Sequence, residues 1–396
     1  MEIVAPFESA RRFGAGAQGE PLLSAGSLLS LGWTGNPPVI RAAAAFDPPQ
    51  ARAWLERFGD GDLIAASTFQ PGLEAVETSY GRWAFQRVGP FTMTLGGPLC
   101  APGDRRALLE RLLALDRRPF LAYVRAPLLD DLDGTGLFAA GIGMDRHVDV
   151  PRLCADPPRP VRGACRKAKK AGVTVERLDL RHPPPGLAAQ IADLTAAYLA
   201  QAACSVEMRF LNQPMPLQED GLRRVYGLYQ GGPGRRRLFG YVALNPIFEQ
   251  GRLQAFLLDI LRFAPSRIWG LWLSVVAAIA EELSKEGLGL SLGYCPLHQP
   301  MAAPRGGSLL LQAQVDGLAR ALGPTPYLQH LRDRKALIPG QWEQRFVVSP
   351  TRFAPLPFAL WMESMGVGLR RIAGPGLLPI LAEGLGLRPA AAGGPR

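Results

Sequence analysis

Asp259 and Arg262 stand three residues apart at the end of an apolar run, Arg252 to Leu258 (RLQAFLL). A carboxylate can take a proton from an attacking hydroxyl or amine, and a guanidinium can neutralise a developing oxyanion or grip a phosphate. The run reads as a buried strand. Beyond Pro265 and Gly270 an apolar-faced helix follows, Leu271 to Lys285, with Glu281, Glu282 and Lys285 on its wet side. Gly287 closes that helix, and Leu288 to Leu292 reads as a second strand. The spacing therefore predicts a strand, loop, helix and strand with an ion pair at its mouth. That pair is a candidate reaction site, or else a structural bridge capping the strand.

A second constellation is Arg159 to Lys170 (RPVRGACRKAKK), a short helix holding Arg159, Arg162, Arg166, Lys167, Lys169 and Lys170 with no acid among them. A face of one sign meets either solvent or an anion, and phosphate backbone is the anion that needs no base-specific readout. Arg235, Arg236 and Arg237 follow the turn Gly231-Gly232-Pro233-Gly234; they either touch phosphates or keep a hairpin soluble.

The elements that must position these residues are short and alternating. Gln50 to Phe58 reads as a helix, Leu63 to Phe69, Arg82 to Val88 and Phe91 to Leu95 as strands, and Asp104 to Leu115 as an amphipathic helix. Strands at Phe120 to Val124, Phe138 to Ile142 and His147 to Val150 complete a first α/β unit. Pro157, Pro158 and Pro160 mark a hinge before the basic helix. A second unit then contains a strand at Val173 to Leu178, a helix at Gly186 to Ala202, paired strands at Leu222 to Tyr229 and Arg237 to Asn245, and the unit around Asp259. Helices at Leu309 to Leu322, Tyr327 to Lys335 and Phe358 to Ile372 and a strand at Arg345 to Val348 end it. The expected division is 1–45 irregular, 46–156 first domain, 157–185 basic linker helix and strand, 186–350 second domain, and 351–396 amphipathic helix and tail.

Composition limits the function classes. The chain has 396 residues, a formal net charge of +10 and 47% hydrophobic residues, so it is globular with a polyanionic partner as first expectation. Cys100, Cys154, Cys165, Cys204 and Cys295 are scattered and odd in number, which argues against a disulfide framework and for free thiols in the cytoplasm. His147, His182, His298 and His330 do not pair at ligand spacing, so no metal is expected. No apolar stretch is long enough to span a membrane, and the N-terminus lacks a secretory core. Arg11 to Gly16 (RRFGAG) formally fits a coenzyme A phosphate loop, but no strand precedes it.

Taken in order, several segments resemble the catalytic domain of the phosphatidylglycerol lysyltransferase family. They are Gly96-Gly97-Pro98 with Asp104-Arg105-Arg106, Arg162 to Val173, Asp259-Ile260-Leu261-Arg262, Leu292 to Leu297 (LGYCPL), and Trp342 to Phe346 (WEQRF). The resemblance covers about residues 60–350. It implies an α/β (α+β) chain of two tandem GNAT-like acyltransferase folds joined by the basic helix, acting as an aminoacyltransferase without a cofactor. It further implies aminoacyl-tRNA as donor and a lipid or small-molecule acceptor such as phosphatidylglycerol. Asp259 and Arg262 become the catalytic candidates. Arg162, Arg166, Lys167, Lys169, Lys170, Lys335 and Arg345 become candidates for holding tRNA phosphate. The helix 358–372, with Trp361 on one face, becomes a candidate for peripheral contact with the inner membrane surface. The upstream membrane-embedded module of fuller members is expected to be absent.

The chain departs from that pattern at Leu271-Trp272-Leu273, where the family usually has an acid, in a shortened loop between Arg262 and Gly270, and in a one-residue shift at Ile338-Pro339-Gly340-Gln341. These positions bear on which amino acid is transferred. Two other classes stand beside this reading: a coenzyme A-dependent N-acyltransferase, and a non-catalytic relative that binds nucleic acid or membrane. The first is disfavoured because residues 262–267 contain no glycine, and Pro265 supplies no N–H to a pyrophosphate.

Overall fold

The computed structural model describes residues 39–42 and 47–365, except 116–117, 201–209, 211, 214, 216–220, 232–235, 265, 267, 299–300 and 323–325. The RRFGAG match, Cys204, Arg235, the last helix beyond Met365 and the tail lie outside the described residues.

Strands dominate the middle of the molecule. In chain order they are β1 (Val39–Ala42), β2 (Glu74–Thr78), β3 (Gly81–Val88), β4 (Phe91–Leu95), β5 (Leu99–Cys100), β6 (Pro119–Val124) and β7 (Phe138–Val148). A second run comprises β8 (Val173–Arg177), β9 (Arg224–Gln230), β10 (Arg237–Glu249), β11 (Arg252–Phe263), β12 (Gly289–Pro296) and β13 (Gly340–Ser349). All join one sheet in the order β1-β2-β3-β4-β6-β13-β7-β12-β11-β10-β9-β8, with β5 beside β3.

Each run repeats one plan. Antiparallel strands lead to a parallel pair, β4 with β6 in the first run and β11 with β12 in the second. A parallel pair requires a crossover. Helix α2 (Arg105–Leu115) makes the first, and α6 (Leu271–Lys285) the second. This is the expected mixed α/β class, with one strand plan used twice. The runs interlock at the centre, where β13 from the chain's far end pairs with both β6 and β7, and β7 also pairs with β12.

The other helices are α1 (Pro48–Phe58), α3 (Val150–Ala155), α4 (Arg159–Lys170), α5 (Leu187–Leu199), α7 (Leu309–Leu322), α8 (Pro326–Ala336) and α9 (Pro355–Ser364). The stop of α6 follows from Gly287, whose φ of 70° fits a left-handed cap. Its N–H bonds Ser284 O at 3.1 Å and the next N–H bonds Leu283 O at 2.9 Å. One face of α6 buries Leu273, Val276, Ile279 and Leu283, and α4 packs on it through Val161 and Ala164.

Two sequence expectations are corrected here. Leu63 to Phe69 is not a strand: Ala65–Phe69 is a 3-10 turn. Thr68 Oγ1 donates to Ala65 O at 2.6 Å and Gln70 Nε2 to Ser67 O at 2.9 Å, so short polar side chains satisfy the backbone locally instead of a ladder. The last helix does not offer its aromatic face to a membrane within the described residues. Phe358, Trp361 and Met365 are buried, and both rings pack on Phe120 with centroids 5.5 and 6.1 Å away. The apolar stripe faces inward, on to Phe120 and an internal cavity. Trp361→Ala is therefore expected to lower unfolding free energy by about 3–5 kcal/mol in urea titration while leaving co-sedimentation with anionic vesicles unchanged.

Candidate active site

β11 does not stop at Leu258 but runs to Phe263, so both candidate residues lie inside the strand. Against β10, Ala243 faces Ile260 while Leu244 faces Leu258, which leaves Asp259 as the extra residue of a bulge. Bulges re-aim a side chain. The Asp259 carboxylate accepts from Asn212 Nδ2 at 2.7 Å and from the Gln213 backbone N–H at 3.0 Å. Gln213 in turn donates from its side chain to Ala66 O, which ties this contact to the 3-10 turn of the first run. Burial pushes the Asp259 carboxyl up to about 6, against the lowering pull of the Gln213 N–H and the Asn212 amide. The largely buried carboxyl lines a cavity.

Arg262 takes different partners. Its Nη1 donates to Tyr241 Oη at 3.2 Å, and that hydroxyl shares a 2.6 Å hydrogen bond with Thr195 Oγ1. The guanidinium carbon sits 5.4 Å from the centroid of the Tyr198 ring. The expected Asp259–Arg262 ion pair is thus not among the described contacts. The continued strand and its bulge send the two groups to separate partners, yet both line the same cavity.

That cavity has a volume of about 570 Å³ and is walled mainly by apolar side chains from β11, β12, α7, α8 and α9. Its polar atoms come from few residues, among them Asp259, Arg262, Asn212 and Lys335. Trp272 lines it, whereas Leu273 is buried in the core beneath α6. An acid at 273 would have no water, so the departure from the family's acidic pattern is compatible with how this helix packs.

A separate charge cluster lies where β7 and β13 pair. Fully buried Arg345 donates to Asp145, to Asp62 Oδ1 at 3.3 Å and to Glu343 Oε2 at 3.5 Å, with Tyr123 Oη also donating to Asp145. Glu343 further accepts from Arg125 Nε at 3.0 Å and meets His147 Nε2 at 2.9 Å. Burial would raise the Glu343 carboxyl, but His147, Arg345 and Arg125 together hold it down at about 2. Burial wins at Asp62, pushing it up to about 6 despite Arg345. Asp145, His147 and Glu343 place ligand-type atoms within 4.8 Å of one another. Their carboxylates already accept from Arg345, Tyr123 and Arg125, so guanidinium groups supply the charge that a cation would bring.

The remaining candidates divide. Arg162, Arg166, Lys167, Lys169 and Lys170 are exposed on α4, as the sequence requires. Arg345 cannot grip tRNA phosphate, because it has no exposed surface and is enclosed by carboxylates. Lys335 also leaves the surface: its Nζ donates to Gly293 O at 3.0 Å and Tyr294 O at 2.7 Å. Burial lowers its pKa to about 8. Arg236 pairs with Glu176, consistent with a hairpin-stabilising role. Sequence reasoning missed Asn212, Gln213 and Tyr241, which sit far from Asp259 in the chain and carry no local signal. It also missed Asp62 and Asp145. For Asp145 a cue existed, since it interrupts the apolar strand Phe138–Val148.

The fold and site thus define a mixed α/β protein of two similar, interlocked runs of strands, with a carboxylate lining an apolar cavity. Residues 52–349 match the model of the family described as phosphatidylglycerol lysyltransferase, C-terminal. The chain belongs to that family, which is one of transferases. Solved structures with the same fold include the C-terminal domain of a protein from Agrobacterium fabrum named as a lysylphosphatidylglycerol synthetase, 16% identical over 83% of this chain and 97% of that one, with a TM-score of 0.63. L-PGS from Bacillus licheniformis is 14% identical over 83% and 99%, with a TM-score of 0.62. A conserved protein of unknown function from Bacteroides thetaiotaomicron is 12% identical over 79% and 99%, with a TM-score of 0.57. No curated protein sequence matches the chain.

Removing Arg345 would strand Asp145 in the core. Arg345→Met is expected to cost about 3–5 kcal/mol in chemical denaturation, whereas a phosphate contact would have left stability unchanged and weakened RNA binding.

Proposed function

We propose that this protein moves an aminoacyl group from aminoacyl-tRNA to the hydroxyl of a lipid acceptor of the phosphatidylglycerol class. The observation that carries the reading is Asp259: a carboxyl with its pKa raised to about 6, opening on to an apolar cavity of about 570 Å³. A volume of that size lies within the ~300–1,000 Å³ of small-molecule sites, and its apolar wall suits acyl chains better than a sugar or a nucleotide. Phe353, 63% exposed, also lines the cavity, giving the lipid a wettable apolar entrance at the surface. In this reading the protein works in the cytoplasm against a membrane face. Among the described residues no helix is long and apolar enough to cross a membrane.

The ester of an aminoacyl-tRNA is already activated, so chemistry reduces to positioning and proton handling. Asp259 accepts the proton of the acceptor hydroxyl as its oxygen adds to the ester carbonyl. Asn212 and the Gln213 N–H hold the carboxylate in place for that transfer. Arg262, kept at the cavity wall by Tyr241, stabilises the negative charge on the tetrahedral oxygen. As the intermediate collapses, the bond to the tRNA 3′ oxygen breaks and Asp259 returns the proton to it. One ester forms, one is lost, and no proton is consumed. The exposed cations of α4 hold the donor's phosphates, and the domain division given above, with the basic linker between two GNAT-like units of which the second is catalytic, belongs to the same proposal.

The acting base is the ionised form, which predominates above the folded pKa. Transfer of label from a pool of radiolabelled aminoacyl-tRNAs into a lipid extract should therefore rise with pH through about 6 and then level. Asp259→Asn should lower it by about 10²–10⁴-fold and abolish that pH limb. Unchanged transfer in the variant, or transfer that survives RNase and requires an acyl-coenzyme A, would overturn the proposal.

A further inference from the structure

The indole of Trp269 is 53% exposed in the turn that starts α6, which is unusual for the largest apolar side chain. The turn is held against the basic helix. Gly270 takes a φ of 71°, and a Cβ there would lie 3.0 Å from the Ala164 Cβ of α4. From α4, Lys167 Nζ stands 4.9 Å from the centroid of the Trp269 ring, a cation–π contact. Three residues further on, Trp272 lines the cavity that Asp259 faces. A row of cations, an exposed indole and the reaction cavity thus follow one another across α4 and the start of α6.

Exposed aromatics interleaved with cations are the physical signature of single-stranded nucleic-acid binding, because every base has a face to stack and a phosphate to neutralise. A membrane surface fits less well. An interfacial helix presents an apolar face to lipid, but the apolar residues of α4, Val161, Ala164 and Ala168, are buried. Its outward residues are Arg159, Arg162, Arg166, Lys167, Lys169 and Lys170. Arg162 is partly occupied by Asp156 Oδ1 at 3.4 Å and Pro157 O at 2.7 Å; the others have exposed side chains.

We infer that Trp269, backed by Lys167, is the stacking platform for an unpaired terminal base of the RNA donor, placed so that the attached ester reaches the cavity. This rests on the aminoacyl-tRNA reading and adds a residue and a ligand chemistry to it. Trp269 is a positioning residue; it touches the donor's base, not the reacting carbonyl.

The test compares full-chain wild type, Trp269→Ala, Trp269→Phe and Lys167→Ala for binding to an intact tRNA transcript and to the same transcript lacking its unpaired 3′ nucleotides. Trp269→Ala should weaken binding of the intact transcript about tenfold, Trp269→Phe should recover most of it, and the truncated transcript should not distinguish them. Lys167→Ala, which leaves the turn intact, should weaken both transcripts, the intact one more. Equal affinities for all variants, or equal loss on both transcripts for Trp269→Ala, would overturn the platform while leaving the donor reading in place. Absence of RNA binding by wild type would remove both. Trp269-dependent binding to anionic vesicles without RNA binding would assign the surface to a membrane instead.

Discussion

Arg345 has no solvent and three carboxylates around it, and the central strands meet at that point. A guanidinium in such a place is tolerable only if its charge is matched and its N–H donors are used. Asp145 on β7 faces Glu343 on β13 in the ladder, and Arg345 lies two residues further along β13. Asp62 arrives from the loop before the 3-10 turn, and Gly96, with φ 68°, lets it in: a Cβ there would sit 3.0 Å from the carboxylate. A slip of β13 by one residue would turn Arg345 to the other face and leave Asp145 uncompensated. The cluster thus fixes register at the seam where the far end of the chain enters the first run of strands. It penalises the alternatives, because each would leave a buried charge unmatched.

From that seam the two halves of the site are set. β12 pairs with β7, and β11 lies beside β12, so the position of Asp259 is referred back to the same central strand. Tyr123 belongs to both regions, bonding Asp145 with its hydroxyl and lining the cavity with its ring. Asp259 is further fastened through Gln213 to Ala66, and the Phe210 backbone just before this segment is bonded by the Gln70 amide at 2.7 and 3.1 Å. Contacts from both runs of strands therefore support one carboxylate. That is the kind of support a proton-transfer group needs, since sub-ångström placement decides its rate.

Charge is partitioned by the fold. The acids that matter are drawn inward, to Arg345 and to the Asp259 cavity, and the cations of α4 are turned outward. A chain with net charge +10 can in this way carry a basic surface and a site whose key carboxylate is desolvated. Among the described residues, the carboxyls of Asp62 and Asp259 are both raised to about 6 by burial, but their settings differ. Asp62 lies in a closed network of arginines and acids; Asp259 opens on to space for a ligand.

Local chemistry made much of the architecture legible in advance. The apolar face of Leu271 to Lys285, the cap at Gly287, the solvent-facing cations from Arg159 to Lys170 and the α/β alternation depend on periodicities of 3.6 and 2 and on glycine's freedom, all of which are properties of short windows. The ordered motifs likewise led to the family. What short windows cannot hold is pairing across hundreds of residues. The sequence alone did not reveal that β13 would insert beside β7, so Arg345 looked like a surface cation when it is fully buried among carboxylates. Nor did it show that Trp361 faces Phe120, that Lys335 turns to two backbone carbonyls, or that Asp259 answers to Asn212 and Gln213 while Arg262 answers to Tyr241. Charge and aromaticity are written in the residue, but whether a side chain meets water, lipid or an opposite charge depends on burial and register, and only tertiary structure decides those.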